Sequence, residues 1–178
     1  MAELELAAAV DLARVEVRPG AQADLDQLNA IYNHYVDTTP STFDIEPFSL
    51  EKRRAWFEQF AADGPHRLLV AVQDDALLGW AGSHRYRDKA AYNSTVETSI
   101  YCHPAATGRG VGRLLYEGLF EAIAGEDLHV AIAGVTLPNA ASVAIHQRLG
   151  FRPAGVTHAV GRKFGRYWDV GWFEKPLT

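Results

Sequence analysis

Cysteine is almost absent from this sequence, in which Cys102 is the single example. One cysteine cannot form an internal disulfide or a cysteine-based zinc site, as is typical of proteins from a reducing compartment. Basic residues are not in excess either, because 17 Lys and Arg stand against 22 Asp and Glu. The formal net charge of -5 gives no electrostatic reason to expect a nucleic acid or an anionic membrane as partner. We therefore expect a cytoplasmic protein that acts on a small molecule.

The N-terminal stretch lacks the features of a signal peptide or a membrane span. Its apolar run Ala7–Val10 is flanked by acidic residues, and no basic segment precedes it. We expect residues 1–14 to be a poorly ordered or weakly helical extension, or a segment of artificial origin. One domain over residues 15–178 should follow, since 48% hydrophobic residues are enough for a continuous core.

Hydrophobic periodicity predicts an alternation of strands and helices. Strands are expected at 15–18, 68–72, 77–81, 95–102 and 130–135, with two more closing the chain. Helices are expected after a capping-box-like sequence at Asp24, from Ser49 to about Ala62, after Gly112, and from Asn139 to a C-terminal Gly150. The order predicts an α/β domain with a mixed sheet and helices on both faces.

A glycine-rich turn, Gly108-Arg109-Gly110-Val111-Gly112, precedes one of these helices. Backbone N–H groups at a helix N-terminus bind phosphate, and glycines let the ligand come close. Arg109 and Arg113 add positive charge. The spacing is neither that of the nucleotide P-loop nor the Rossmann fingerprint, and a plain turn before a helix would use similar glycines. The residues alone leave both interpretations open.

Two segments resemble a known superfamily. Thr107–Leu115 resembles the acetyl-coenzyme A pyrophosphate loop of GNAT acetyltransferases, and Asn139–Phe151 resembles a later segment that begins with asparagine and ends in Gly-Phe. A narrower resemblance, to phosphinothricin and methionine-sulfone N-acetyltransferases, covers the chain from Val15 onward. It is carried by Tyr32–Tyr35, Ala91-Tyr92, Val96-Glu97, Leu137–Asn139 and Asp169–Gly171.

The resemblance implies a GNAT fold, with a central, mostly antiparallel twisted sheet that splays into a coenzyme A cleft. It implies acetyl-coenzyme A as cosubstrate and no metal. The coenzyme-binding residues that it implies are Ile100, Tyr101, Thr107, Gly108, Arg109, Gly110, Val111, Gly112, Arg113, Asn139 and Ser142. Thr107 stands where the family usually has Gln or Arg, so Arg109 and Arg113 are candidates to replace that phosphate contact.

Glu97 and His146 are the catalytic candidates. Period-two geometry turns Glu97 to the strand face opposite Val96 and Thr98, and an exposed strand glutamate is the plain alternative. The resemblance implies a catalytic glutamate at this position, where a carboxylate can act as general base toward an amine. His146 occupies the place of a tyrosine acid in many members of the superfamily. A histidine packed on its helix is the alternative.

Four residues are candidates for acceptor binding. Arg87 and Lys89 can hold the carboxylate and acidic side group of an amino acid analogue, and Phe43 and Tyr92 can pack on its carbon chain. The related enzymes have lysine and arginine in the opposite order at these positions. Surface solvation is the plain alternative for both cations.

The sequence thus predicts transfer of acetyl from acetyl-coenzyme A to the α-amine of a small amino acid or analogue of the phosphinothricin, methionine sulfone or sulfoximine type. Direct attack in a ternary complex is expected. The alternatives are an acetyltransferase for a protein N-terminus, a polyamine or an antibiotic, and a non-catalytic coenzyme A sensor.

Related proteins commonly form homodimers, and the aromatic pairs Tyr167-Trp168 and Trp172-Phe173 suit either an interface or the core.

Overall fold

The computed structural model of the protein describes Leu6 and residues 9–178. These described residues form seven strands and four α-helices. The strands are β1 (Glu16–Pro19), β2 (Leu68–Gln73), β3 (Ala76–Arg85), β4 (Thr95–Cys102), β5 (Val130–Leu137), β6 (Arg152–Lys163) and β7 (Arg166–Pro176). The helices are α1 (Leu25–Thr38), α2 (Leu50–Phe57), α3 (Val111–Ala122) and α4 (Ala140–Arg148). In this described part, no helix has the length and apolar character needed to cross a membrane.

The two ends of α2 differ in how well local sequence predicts them. Ser49 caps the helix as expected, because its hydroxyl accepts a hydrogen bond from the Lys52 N–H. The helix ends at Phe57 and not near Ala62. The Phe60 N–H turns back to the Phe57 carbonyl at 3.1 Å, which closes a turn in place of another helical residue.

Asp24 precedes α1 as expected, but the expected capping box does not form. Its two carboxylate oxygens each accept a hydrogen bond from the Arg18 guanidinium at 2.8 Å. One oxygen also accepts from the Ala21 N–H at 2.8 Å. The hydrogen bond with Arg18 lowers the pKa of the Asp24 carboxyl, and it ties the end of β1 to the start of α1.

The strands form one open sheet in the order β1-β2-β3-β4-β5-β7-β6. All neighbouring pairs are antiparallel except β4 and β5, which are parallel. Alternate side chains of β2 divide between the two faces, since Leu68 and Val70 pack with α1 whereas Leu69 and Ala71 pack with α3. Helices therefore cover both faces, which confirms the predicted architecture.

β4 and β5 separate part-way along their length. Their pairing is limited to Thr95–Glu97 with Val130–Ile132. Beyond it, β4 continues beside β3 to Cys102, and β5 continues beside β7 to Leu137. The result is a wedge-shaped opening, here called the β4–β5 gap, with α3 and α4 beginning beyond its open end. The gap is the splayed cleft that the sequence analysis predicts.

Residues 9–14 pack beside the sheet. Leu12–Arg14 form one 3-10 turn, whose cap is the Asp11 side chain. Val10 contacts the apolar cluster beneath α3. The remaining part of the expected extension, residues 1–5, 7 and 8, lies outside the described residues, and the domain boundary at residue 15 stays a prediction.

Candidate functional site

The glycine-rich turn lies at the N-terminus of α3. Gly108 and Gly110 have left-handed backbone angles, with φ of 71° and 91°, which residues with side chains rarely adopt. Gly110 is the N-cap of α3. The first N–H groups of a helix have no intrahelical acceptor, so they point out of its end. This arrangement suits the binding of phosphate oxygens.

Gly112 differs from the other two glycines of the turn. A Cβ at this position would lie 2.9 Å from Ile145 Cδ1 and 3.3 Å from Ile100 Cδ1. Gly112 therefore lets α3 approach α4 and β4 closely. The glycine pattern predicts that all three glycines allow close approach of a ligand, whereas the surroundings of Gly112 indicate packing between elements.

The polar side chains of the turn are partly engaged with the protein itself. The Thr107 hydroxyl donates to the Pro104 carbonyl oxygen at 2.8 Å, so its proton is used within the turn. Arg109 donates from Nε to the carbonyl oxygen of Ala105, in the preceding 3-10 turn, at 3.1 Å. The Arg113 guanidinium lies 3.7 Å from the Glu117 carboxylate, and both side chains are exposed. The two arginines therefore supply positive charge beside the turn.

α4 begins on the other side of the open end of the gap. The Asn139 side chain caps the helix, because its Oδ1 accepts a hydrogen bond from the Ser142 N–H at 3.1 Å. Two helix N-termini, with their partial positive charges, therefore lie at the open end of the β4–β5 gap. An anionic ligand fits such a place.

Ile100 and Tyr101 lie on the part of β4 that has separated from β5. The Ile100 side chain packs in the cluster beneath α3. The Tyr101 ring lies on the other face, with its centroid 5.1 Å from that of Tyr32. Since both side chains pack against the protein, contacts with a ligand in the gap would come from their backbone groups.

Glu97 is the last residue of β4 that pairs with β5, so it lies where the gap begins. Val96 and Thr98 are buried on the opposite face, in agreement with period-two geometry. His84 lies directly across the ladder on β3. Burial raises the pKa of the Glu97 carboxyl, and the positive charge of Arg87 acts against this rise. A carboxylate with a raised pKa is suited to accept a proton near neutral pH.

A cationic and aromatic segment connects β3 to β4. The rings of Tyr86 and Tyr92 meet edge to face, with centroids 5.6 Å apart. The Arg87 guanidinium carbon lies 5.0 Å from the Tyr86 ring centroid and 5.8 Å from that of Tyr92. Lys89 is exposed just before the 3-10 turn that contains Tyr92. Arg87 and Tyr92 are therefore neighbours, and Arg87 is near enough to Glu97 to influence its charge.

Phe43 lies in the loop between α1 and α2 and contacts the β6–β7 hairpin. Its ring atoms lie 2.2 Å from the position that a Cβ on Gly161 would take, so only glycine leaves room for the ring. The buried Lys163 donates from Nζ to the Thr42 carbonyl oxygen at 2.8 Å. The described contacts thus join Phe43 to this hairpin and not to the segment around Arg87.

Both ring nitrogens of His146 are engaged, and the residue is only 3% exposed. A carbonyl oxygen only accepts, so Nδ1 carries the proton and donates to the Ser142 carbonyl at 2.7 Å. Nε2 then accepts from the Tyr116 hydroxyl at 3.0 Å. Burial lowers the pKa of the imidazole, which favours its neutral form. The geometry favours the packed histidine over the general acid.

Three neighbours of the candidate residues carry no sequence signal of their own. Tyr116 binds His146, His84 faces Glu97, and Lys163 holds the loop that carries Phe43. The hydrogen-bonded partners of Tyr116 and Lys163 are 30 and 121 positions away along the chain. No local pattern identifies such contacts, because they depend on how distant elements pack.

Among the described residues, no group of three or more His, Cys, Asp or Glu side chains is placed to hold a metal ion.

Residues 28–151 match the Acetyltransferase (GNAT) family. The chain is 54% identical over 167 residues to a phosphinothricin N-acetyltransferase of Streptomyces coelicolor. The aligned region covers 93% of this chain and 98% of that protein.

A second relative is an L-methionine sulfoximine/L-methionine sulfone acetyltransferase of Pseudomonas aeruginosa, 35% identical over 161 residues, with 90% of this chain and 94% of that protein covered. The structure resembles that of a phosphinothricin acetyltransferase from Sinorhizobium meliloti in complex with acetyl-coenzyme A. The TM-score is 0.87 at 29% identity, and 92% of this chain and 89% of that chain are covered. The protein therefore belongs to the GNAT family and is an N-acetyltransferase.

Proposed function

We propose that this enzyme transfers the acetyl group of acetyl-coenzyme A to the α-amine of a small amino acid or amino acid analogue. Phosphinothricin, methionine sulfone and methionine sulfoximine are the leading acceptors, because the relatives described above are named for them. The observation that carries the proposal is the position of Glu97 at the closed end of the β4–β5 gap, with two helix N-termini at its open end.

The coenzyme pyrophosphate is assigned to the N-terminus of α3. The left-handed Gly108 and Gly110 open the backbone there, and Arg109 and Arg113 add charge. The pantetheine arm would then enter the gap, where the free edge of β4 offers backbone hydrogen bonds beyond Glu97. The structure of the Sinorhizobium meliloti relative is a complex with acetyl-coenzyme A, which supports acetyl-coenzyme A as the cosubstrate.

Glu97 acts as the general base in this proposal. An α-ammonium group is mostly protonated at neutral pH and must lose a proton before its nitrogen can attack. Glu97 takes that proton, directly or through water. The nitrogen attacks the thioester carbonyl carbon, the C–N bond forms and the C–S bond breaks. The second proton, which the nitrogen loses as it becomes the amide, passes to the coenzyme thiolate directly or through water. A backbone N–H can stabilise the oxyanion.

His146 is assigned a structural part in place of the general acid. Its neutral ring accepts from Tyr116 and donates to the backbone of α4, which leaves no free proton for the thiolate. The thiolate would then be protonated by water or by another group.

The acceptor is assigned to the side of the sheet that carries Glu97. Arg87 lies near that carboxyl and can hold a carboxylate or phosphinate, with Tyr92 packing on the carbon chain. Lys89 adds a second cation on the same segment. The described contacts of Phe43 are with the β6–β7 hairpin, so a contact of Phe43 with the acceptor stays a prediction.

Two rival functions make different demands on these residues. A polyamine or another cationic acceptor would meet the positive charges of Arg87 and Lys89, so the charge of this segment disfavours it. A coenzyme A sensor would need the glycine-rich turn but not a half-buried carboxyl at Glu97. Coenzyme A release, measured with amino acids, their sulfone and phosphinate analogues, polyamines and N-terminal peptides, separates these functions.

A cytoplasmic homodimer is the assembly that we propose. β6 is an edge strand, and its residues from Arg152 to Val160 are exposed. Of the aromatic pairs considered from sequence, Phe173 is buried in the core whereas Tyr167 is 63% exposed. The exposed edge of β6, together with the exposed rings of Phe164 and Tyr167 at the end of the β6–β7 hairpin, therefore supports an interface there.

The Glu97→Gln variant tests the proposed base. The amide keeps the shape of the side chain but cannot take the amine proton, so turnover should fall by about 10² to 10⁴. Because burial raises the pKa of Glu97, wild-type activity should fall with acidification through a range above that of an ordinary glutamate. This acidic limb should be absent from the variant. Steady-state kinetics between pH 5 and 9 measure both effects.

The matched control is Glu46→Gln, a change of an exposed glutamate in the loop between α1 and α2. It should leave turnover and the pH profile unchanged. Acetyl-coenzyme A affinity and melting temperature should stay close to wild type in Glu97→Gln. Near wild-type turnover of Glu97→Gln with a saturating acceptor, when product release does not limit the rate, would exclude Glu97 as the base.

A further inference from the structure

Residues 9–12 are anchored next to the glycine-rich turn by a buried glutamine. Gln73, at the end of β2, is only 5% exposed. Its Oε1 accepts a hydrogen bond from the Asp11 N–H at 2.8 Å, and its Nε2 donates to the Ala9 carbonyl oxygen at 3.1 Å. A side-chain amide that binds both a donor and an acceptor of one backbone segment fixes that segment in place.

This anchoring brings Leu12 onto Gly110. The Leu12 Cδ1 atom lies 3.0 Å from the position that a Cβ on Gly110 would take, and its Cδ2 lies 3.7 Å away. Gly110 has φ of 91° and is the N-cap of α3. An isobutyl group thus covers the point where the turn enters the helix.

Gly108 and Gly110 have little packing of their own, whereas Val111 of the same turn is buried. A Cβ on Gly108 would meet no atom within 4 Å among the described residues, and Gly110 has no side chain with which to hold itself. Glycine also loses more backbone freedom than other residues when it is ordered. The contact of Leu12 with Gly110 therefore limits the motion of this part of the turn before a ligand binds.

We propose that Leu12 is a positioning residue for the coenzyme: it packs on Gly110 and holds the N-terminus of α3 in the orientation that binds the pyrophosphate. This inference rests on the proposed function, because it takes the turn as the pyrophosphate site. Ordering the turn in advance lowers the entropic cost of binding. Leu12 therefore acts on coenzyme affinity and takes no part in proton transfer or acyl transfer.

The test is Leu12→Ala in the full chain. The KM for acetyl-coenzyme A should rise about three- to tenfold, as expected for the loss of a partly exposed apolar contact. The kcat and the acceptor KM should stay within about twofold. The matched control is Leu50→Ala at the start of α2, because Leu50 is 38% exposed and Leu12 is 42% exposed. It should leave all three constants unchanged.

S-acetyl-pantetheine, a donor without the pyrophosphate and adenosine, separates positioning from general destabilisation. Its kcat/KM should be equal in wild type and Leu12→Ala, since it does not use the turn. A decrease with this donor as large as that with acetyl-coenzyme A would overturn the proposal. So would an unchanged KM for acetyl-coenzyme A. A lower KM for acetyl-coenzyme A in Leu12→Ala would also overturn the proposal, because it would show that Leu12 obstructs the binding of the coenzyme.

Failure of the proposed function has a different signature. In that case the wild-type enzyme would release no coenzyme A with any amino acid analogue, or its use of acetyl-coenzyme A would not depend on the glycine-rich turn. Failure of the positioning role leaves an active wild type whose acetyl-coenzyme A KM is insensitive to Leu12→Ala.

Discussion

Two opposing influences act on the carboxyl of Glu97. Burial favours its neutral form and raises its pKa, whereas the guanidinium of Arg87 favours the carboxylate and limits the rise. A base must be deprotonated when the ammonium substrate arrives and must still hold the proton that it takes. Arg87 therefore has two possible effects at once, one on the acceptor's acidic group and one on the charge of the base.

Arg87→Ala separates these effects. Loss of the guanidinium should raise the acceptor KM more than the acetyl-coenzyme A KM, because a partner of the carboxylate or phosphinate is lost. It should also move the acidic limb of the kcat/KM profile to higher pH, because the charge that lowers the Glu97 pKa is removed. Kinetics with both substrates across pH 5 to 9 measure the two shifts.

Lys89→Ala is the control for the second shift. Lys89 lies on the same segment, but Arg87 is the cation that lowers the Glu97 pKa, so we expect the loss of Lys89 to leave this pKa unchanged. The variant should leave the acidic limb in place, whatever it does to the acceptor KM. An acidic limb that moves equally in both variants would mean that the net charge of the segment acts, and not the position of Arg87.

Residue patterns predict the position of Glu97 but not its surroundings. Period-two alternation along 95–102 gives the face of its side chain, and the structure agrees. His84 lies opposite because of the β3–β4 register, which the spacing of the two strands in sequence does not fix. Burial lowers the pKa of His84 to about 4, so a neutral imidazole faces the proposed base. That pairing appears only once the register is known.

The β4–β5 gap is the feature on which the proposed site depends. Two parallel strands that pair over Thr95–Glu97 and then part leave backbone groups unpaired between them. The sequence predicts both strands and both following helices, since each has its own apolar pattern and cap. It does not predict where the strands part, because that point depends on β5 staying with β7 as far as Leu137.

The sequence also does not predict the contact between the α1–α2 loop and the β6–β7 hairpin. In the sequence, Gly161 has no feature that distinguishes it from other strand glycines, yet Phe43 packs against it. Lys163 is buried and its amine binds a backbone carbonyl of the loop, which is unusual for a lysine. Such pairs come from tertiary packing, and no periodicity of either segment contains them.

Gly110→Val tests the role of the turn before α3. A β-branched residue with φ of 91° is strained and would also meet Leu12, so the N–H groups at the helix end should lose their orientation. Acetyl-coenzyme A should raise the melting temperature of the wild type by linkage, and this rise should be lost in the variant. Thermal unfolding with and without the coenzyme measures it.

Gly64→Val is a matched control, since Gly64 has φ of 80° and lies in the loop after α2. The backbone strain in Gly64→Val should lower the free energy of unfolding by about 1–3 kcal/mol, as in Gly110→Val, so both variants should melt at a lower temperature. In Gly64→Val, however, the coenzyme should still raise the melting temperature as it does in wild type. Gly112 is unsuitable for this test, because a side chain there would collide with Ile145. A folded Gly110→Val that keeps the full coenzyme-dependent rise would refute the assignment of the turn.

The strand order leaves β1 and β6 as the two edges of the sheet. β1 has four residues and is short for an edge that could add another strand, whereas β6 has 12. Val156 and Val160 on β6 are 48% and 55% exposed. A long edge strand with exposed valines is a surface that soluble proteins usually cover.

We expect β6 and the end of its hairpin to form the interface of a two-fold symmetric dimer. Wild-type protein at micromolar concentration should have about twice the chain mass of 19.6 kDa by light scattering. In a two-fold symmetric dimer, Val160→Lys adds one positive charge from each protomer to the interface. These charges would be buried and would repel each other, so the variant should be monomeric. Ile45→Lys is the control, because Ile45 is 71% exposed but lies in the loop between α1 and α2, and this variant should remain dimeric. A monomeric wild type, or a Val160→Lys variant of dimer mass, would rule out this interface.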